Sequence, residues 1–330
     1  MSEASRVDVT AAARLHLGFL DLNGSLGRRF GSIGLAIDGP HTRVSLCRSA
    51  VARAQGPDSE RAKAYLETLR HSLDCEGAYA LMVHQAAPAH SGLGSGTTLA
   101  LAVAAALRRL EGLRADPSAD VTALSRGERS GIGIGVFRSG GFVVDGGRSA
   151  ESIAPPIVAR LPFPLNWRIL LIQDFSRRGI HGDEERAAFA ALAPFDDAEA
   201  DRICRLVLMQ LLPGLVENRI APFGEAVSTI QERLGDYFAP AQGGRRFTSP
   251  EVAETLEALR HAGAHGIGQS SWGPTGFAFA ASQAEAERLL ESIRSNAAAQ
   301  SLDISIRRAL NTGAEIVSDG PVPDELLGPR

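Results

Sequence analysis

Pro88-Ala89-His90-Ser91-Gly92-Leu93-Gly94-Ser95-Gly96-Thr97-Thr98 is the stretch that decides the fold. A strand-like run, Ala78 to His84, precedes it. Residues Thr97 to Glu111 follow, with Leu99, Val103, Ala106, Leu107 and Leu110 on one helical face and Gly112 where a left-handed helix terminator belongs. A glycine loop between a strand and a helix is an anion cradle. Glycines let the backbone approach closely, and free N–H groups at the positive end of the helix supply the attraction. Ser95, Thr97 and Thr98 add hydroxyls for phosphate or a magnesium ion. No Gly-Lys-Ser/Thr occurs, so this is not the lysine-containing phosphate loop. The plain alternative is a glycine-rich turn with a serine cap; the strand–loop–helix context and the density of small residues favour the anion reading.

Working outward, Val7 to Ala13 and Thr42 to Leu46 read as strands around a glycine-rich stretch, Asn23 to Gly39. Residues 58–73 read as a helix. Glycine dominates from Gly127 to Gly147 around a strand, Gly141 to Asp145. Four prolines in 151–166 mark an inter-domain connection, and a strand starts at Trp167. Residues 198–212 and 215–234 read as a helical pair split by Pro213-Gly214, with Pro222 kinking or delaying the second. Ser249 caps a helix over 249–262, ended by Gly263. A loop from Gly263 to Gly276, a strand Phe277 to Ala280, a helix Ala284 to Ile293 and strands at Asp303 to Arg307 and Ala314 to Val317 complete an α+β pattern.

The chain has 330 residues, 44% hydrophobic and 22% charged, with a net charge of −4. That predicts a folded protein of two domains or one large one, with no nucleic-acid or membrane partner. Lys63 is the sole lysine, so anionic substrates must be held by arginine, histidine, backbone N–H or metal. Cys47, Cys75 and Cys204 are far apart and not in metal-ligand spacing. With no apolar signal core after Met1 and no spanning apolar run, a reduced, cytoplasmic protein is expected.

The run Pro88 to Thr98 resembles the central phosphate-binding motif of the GHMP kinases. Ala12 to Leu22 and Gly266 to Gly276 stand where that superfamily has its first and third motifs. Within it, Arg14-Leu15-His16, Gly18 to Gly24, Arg138-Ser139-Gly140-Gly141-Phe142 and Gly268-Gln269-Ser270-Ser271-Trp272-Gly273-Pro274 resemble the β-ribofuranosylaminobenzene 5′-phosphate synthases. The resemblance implies an N-terminal βαβ domain over 1–162, a ferredoxin-like domain over 163–330, a cleft between them, and a homodimer. It implies a pentosyltransferase that joins phosphoribosyl pyrophosphate to 4-aminobenzoate with Mg2+, releasing pyrophosphate and CO2, toward tetrahydromethanopterin-type carriers.

Kinases of the superfamily set an Asp near the accepting hydroxyl, in a Ser-Gly-x-Asp context. Here Ser130-Gly131-Ile132-Gly133 has glycine there, which suits a reaction with no hydroxyl to deprotonate. Arg14, His16 and Glu128 are the expected catalytic residues, with Ser95, Thr97 and Glu128 toward the metal. Ser91, Gly92, Gly94, Ser95, Gly96, Thr97, Arg138, Arg177, His181, Gln269, Ser270, Ser271, Trp272 and Gly273 are expected to bind substrate. Because the carboxylate must leave as CO2, a tight charge clamp on it would oppose the reaction. Neutral contacts from His16 or Ser270 are therefore expected there, with Arg14 on phosphate. The acceptor stays open between 4-aminobenzoate and a hydroxybenzoate. Asp145 reads as a turn residue, with contact to a metal as its lesser alternative, Asn311-Thr312-Gly313 as a turn, and His41, His71, His84, His261 and His265 as surface or core residues. An ATP-dependent kinase or decarboxylase of the same fold, and a non-catalytic ligand sensor, are the alternative readings.

Overall fold

The computed structural model describes residues 5–180 and 182–318. It opens with two long antiparallel strands, β1 (Arg6–Asp21) and β2 (Phe30–Ser49). Both extend well beyond the short strands read from the sequence. The reason is visible in β1: Val7, Val9, Ala11, Ala13, Leu15 and Leu17 are all buried, and alternation continues past the glycines of β2 that hid it. The pairing of β1 with β2 shifts register between Ala12 and Ala13 and again between His16 and Gly18. Such bulges bend a strand and re-aim side chains. Accordingly, Val7, Val9 and Ala11 belong to one core and Ala13, Leu15, Leu17 and Phe19 to another. One strand thus serves both halves of the molecule, and His16 lies at the second bulge.

The chain continues through β3 (Arg53–Gln55), α1 (Ser59–Ser72) and β4 (Ala78–Gln85), a βαβ unit in which β3 and β4 pair in parallel. Next come α2 (Ser95–Leu110), α3 (Pro117–Ala123), α4 (Ile132–Ser139), β5 (Phe142–Asp145) and β6 (Ile157–Leu161). α2 is buried along almost its whole length, as its alanines permit. α3, α4 and β6 lie where the sequence reads as loop or linker. In α4 the low helix propensity of Gly133 and Gly135 is overridden by packing. A Cβ at Gly135 would meet Val143 at 2.6 Å, and one at Gly133 would meet Thr97 at 2.8 Å.

The second half begins with β7 (Arg168–Gln173), α5 (Gly182–Ala191) and α6 (Asp197–Leu206). A π-helical turn, Val207–Leu211, then leads into α7 (Leu212–Val216). The expected break at Pro213-Gly214 does not occur there: the wide turn ahead of Pro213 absorbs the proline, and the helices separate at Glu217 to Arg219. α8 (Ile220–Phe238) carries Pro222 in its first turn, where its missing N–H costs nothing. α9 (Pro250–His261) is capped by the Ser249 hydroxyl, which accepts from the Val252 N–H at 3.2 Å. β8 (His265–Gln269), β9 (Gly276–Ala280), α10 (Gln283–Ser292), α11 (Ala297–Gln300), β10 (Asp303–Arg307) and β11 (Glu315–Ser318) complete the chain. β8 replaces the first part of an expected loop; its glycines masked a buried strand.

Two sheets result. One runs β11-β1-β2-β4-β3, with β5 on β2 and β6 on β5; the other is antiparallel in the order β10-β7-β9-β8. The second order, with α5 to α9 between β7 and β8 and α10 between β9 and β10, is the ferredoxin-like split arrangement. β11 crosses back and pairs with β1 in the first sheet. Among the described residues, no helix is long and apolar enough to cross a membrane.

Candidate active site

Three segments distant in sequence are knitted together at the head of α2. The Arg14 guanidinium (Nη1) and the Ser270 hydroxyl each donate to the Gly92 carbonyl at 2.8 Å. The Arg14 N–H donates to the Leu93 carbonyl at 3.2 Å. The His16 N–H donates to the Ser270 hydroxyl at 3.0 Å, and the Ser271 N–H to the His16 carbonyl at 3.2 Å. Gly92 and Gly94 adopt φ of 85° and 78°, a region that favours glycine. A Cβ on Gly92 would overlap the Ser270 carbonyl oxygen. The sequence motifs therefore form one hydrogen-bonded body.

The cleft in front of this body is lined by Arg14, His16, Thr97, Glu128, Gly133 and Ser271. Sequence reasoning missed several other lining groups, among them Arg126, Arg129, Glu185 and Arg186. Arg129 pairs with Glu185 at 2.7 Å and lies over the Phe189 ring at 4.9 Å. Glu185 also accepts from the Trp272 indole N–H at 3.0 Å. Guanidinium nitrogens of Arg126 and Arg61 lie 3.6 and 3.7 Å from where a Gly96 Cβ would be. The start of α2 is thus surrounded by cations. Burial lowers the Arg14 guanidinium to about 10, against the opposing pull of Glu185, and it remains charged at neutral pH.

His16 is buried, and burial together with the nearby Arg14 charge pushes its imidazole down to about 3. It is therefore neutral, and its Nε2 has no hydrogen-bond partner. His16, Phe19 and Ser271 also border a second pocket, whose far side includes Phe238 and Trp272.

Of the remaining residues expected at the site, Gln269 is fixed by accepting from the Thr248 N–H at 2.6 Å and donating to the Gln242 side chain and the Ser271 carbonyl. Gly273 leaves room for it, since a Cβ there would meet the Gln269 amide at 2.7 Å. Ser91 donates to the Pro88 carbonyl at 2.8 Å. Ser95 is buried in the first turn of α2 and is not among the cleft-lining residues. Arg138 is exposed at the C-terminal end of α4, also off the cleft wall. Arg177 is exposed and held between Asp174 and Glu251, each at 3.5 Å. His181 lies outside the described residues.

Among the described residues, no group of three or more His, Cys, Asp or Glu forms a metal cage. Glu128 and Thr97, both on the cleft wall, offer a carboxylate and a hydroxyl. Those are hard oxygen donors of the kind magnesium takes.

Residues 60–137 match the GHMP kinases N terminal domain, and residues 211–299 match GHMP kinases C terminal. The chain superposes on homoserine kinase from Cytophaga hutchinsonii with a TM-score of 0.66 at 18% identity, covering 96% of this chain and 99% of that one. On phosphomevalonate kinase from Streptococcus pneumoniae the score is 0.70 at 12% identity, covering 93% and 100%. These likenesses show the fold. Much greater sequence similarity links it to two proteins named beta-ribofuranosylphenol 5′-phosphate synthase. The one from Archaeoglobus fulgidus is 34% identical over 320 residues, 92% of this chain and 97% of that protein. The one from Methanothermobacter thermautotrophicus is 31% identical over 289 residues, 81% and 86% of the two chains. With its three motifs joined at the head of α2, this chain belongs to the beta-ribofuranosylphenol 5′-phosphate synthase family.

Proposed function

We propose that the protein is a pentosyltransferase that joins phosphoribosyl pyrophosphate to a 4-substituted benzoate. The observation that carries the reading is Gly133. It lines the cleft and stands, in the sequence, where the kinases' Ser-Gly-x-Asp context carries an acid, and Thr97 occupies the space a side chain would need. A cleft without that acid suits an acceptor that has no hydroxyl to activate.

The ring carbon bearing the carboxylate forms a bond to C1 of the ribose as the C1–pyrophosphate bond breaks. The ring–carboxylate bond then breaks, its electron pair returns to the ring, and CO2 leaves. The attacking carbon carries no hydrogen, so no general base is required. Arg14, Arg126 and the N–H groups at the head of α2 hold the leaving pyrophosphate, as preorganised charge should. Glu128 and Thr97 would hold magnesium, which when bound offsets pyrophosphate charge. Neutral His16 meets the acceptor carboxylate without clamping its charge, leaving decarboxylation unopposed.

The relatives' name contains a phenol, so 4-hydroxybenzoate stands beside 4-aminobenzoate as the acceptor to test. The test is incubation with phosphoribosyl pyrophosphate, magnesium and each carboxyl-labelled acid, without ATP. Equal amounts of labelled CO2 and pyrophosphate are expected. ATP hydrolysis with a small alcohol, and no CO2 from either acid, would return the chain to the kinases.

A further inference from the structure

The second pocket is joined to the cleft through His16, Phe19 and Ser271. Its character differs from that of the cleft. Phe19, Phe238 and Trp272 present aromatic surface to one another, with Phe238 4.7 Å from Trp272 and 6.3 Å from Phe19. Gly18 keeps one wall bare, because a Cβ there would press on Leu234 at 2.9 Å. Gln231 and Arg246, beside the pocket, are already engaged. The Gln231 amide donates to the Leu17 carbonyl and accepts from the Gln269 N–H. Arg246 is held by both carboxylate oxygens of Asp236. His16 Nε2, by contrast, is buried and without a partner. An orphaned buried polar atom is costly, and a ligand group that reaches it removes the cost.

We propose that this pocket is the acceptor subsite, with the benzoate ring among Phe19, Phe238 and Trp272 and its carboxylate end at His16. The proposal rests on the transferase reading given above. That reading requires the ring carbon and ribose C1 to meet where the two cavities join, and His16 stands at that junction. The carboxylate then faces a neutral imidazole, the pocket's own cation being neutralised by Asp236. The para substituent points away from the cleft.

The test uses the intact protein and two probes of equal charge, 4-hydroxybenzoate and cyclohexanecarboxylate. Trp167 and Trp272 are the two tryptophans of the chain, and Trp167 is enclosed in the core. Quenching of fluorescence by 4-hydroxybenzoate is expected, and the signal should vanish in Trp272→Phe. Calorimetry should show cyclohexanecarboxylate binding at least several-fold more weakly. Phe238→Ala and Phe238→Leu should each weaken 4-hydroxybenzoate by about three- to tenfold, the worth of one aromatic contact. Phosphoribosyl pyrophosphate should bind both variants as it binds the parent, which also reports an intact fold. Equal binding of the two acids, or unchanged affinity for 4-hydroxybenzoate in both Phe238 variants, would overturn the proposal. Aromatic binding with this pattern but no CO2 release would retain the pocket and remove the transferase reading. Release with an unaltered acceptor KM in both variants would do the reverse.

Discussion

Gly92 and His16 carry the sharpest consequences for single residues. Gly92→Ala has to place a methyl group on the Ser270 carbonyl from a backbone with φ of 85°. The left-handed geometry alone costs about 1–2 kcal/mol. The overlap adds to this and displaces the loop at the head of α2. A fall in the thermal midpoint and loss of phosphoribosyl pyrophosphate binding are expected; calorimetry reads both, and an unchanged midpoint would contradict the geometry. His16 has a folded pKa of about 3, below its unfolded value. Its neutral burial therefore contributes stability that is full above the unfolded pKa near 6.5 and lost as pH falls from there. The parent should lose stability on acidification from pH 6.5 to 4 more steeply than His16→Asn, as followed by denaturant unfolding. Its imidazole should also give no inflection in the pH–kcat/KM profile between pH 5 and 9. Arg14, His16, Glu128 and the loop glycines were legible in sequence because they sit in ordered motifs. Arg129 and Glu185 were not, because their role comes from partners such as Phe189 and Trp272 that only the fold brings near.

At the scale of elements, α4 shows why some of the fold was hidden. Its glycines read as loop, yet they are the condition for packing on β5 and α2. Asp145, read as a turn residue, closes the end of β5 and anchors the head of α4. Its carboxylate accepts from the N–H groups of Gly131 and Gly147, each at 2.9 Å. Burial nevertheless pushes this carboxyl up to about 6. A raised folded pKa gives stability that is full below the unfolded value near 3.8 and lost as pH rises through about 6. Relative to Asp145→Asn, the parent should therefore gain stability when pH is lowered from 7 to 5. The variant itself should be weaker by about 1–3 kcal/mol at pH 5, since one of the two N–H groups loses its acceptor. Parallel unfolding curves for the two proteins across that range would refute the assignment. The helices over 58–73 and 249–262 were readable because periodic apolar faces and caps coincide there.

For the whole molecule, composition and motif order indicated two α+β halves, but not how they are tied. Asn311, read as part of a turn, is one tie. Its side chain accepts from the Phe163 N–H at 2.7 Å and donates to the Phe163 carbonyl at 2.8 Å. Phe163 is fully buried against Trp167, Phe223 and Phe279. Asn311→Ala leaves two backbone groups of the inter-domain connection without partners, and a loss of about 1–3 kcal/mol is expected in chemical denaturation. A loss below about 0.5 kcal/mol would show that water takes the place of the amide. Another tie is β11, whose residues Glu315 to Ser318 pair with Thr10 to Val7. Long-range pairing of this kind has no local sequence signal. It also bears on the order of events at the ribosome. While the polypeptide is being synthesised, the outer flank of β1 has no neighbour until Glu315 to Ser318 have emerged. A nascent chain stalled before residue 314 would carry an unpaired strand edge, open to a neighbouring nascent chain on the same message.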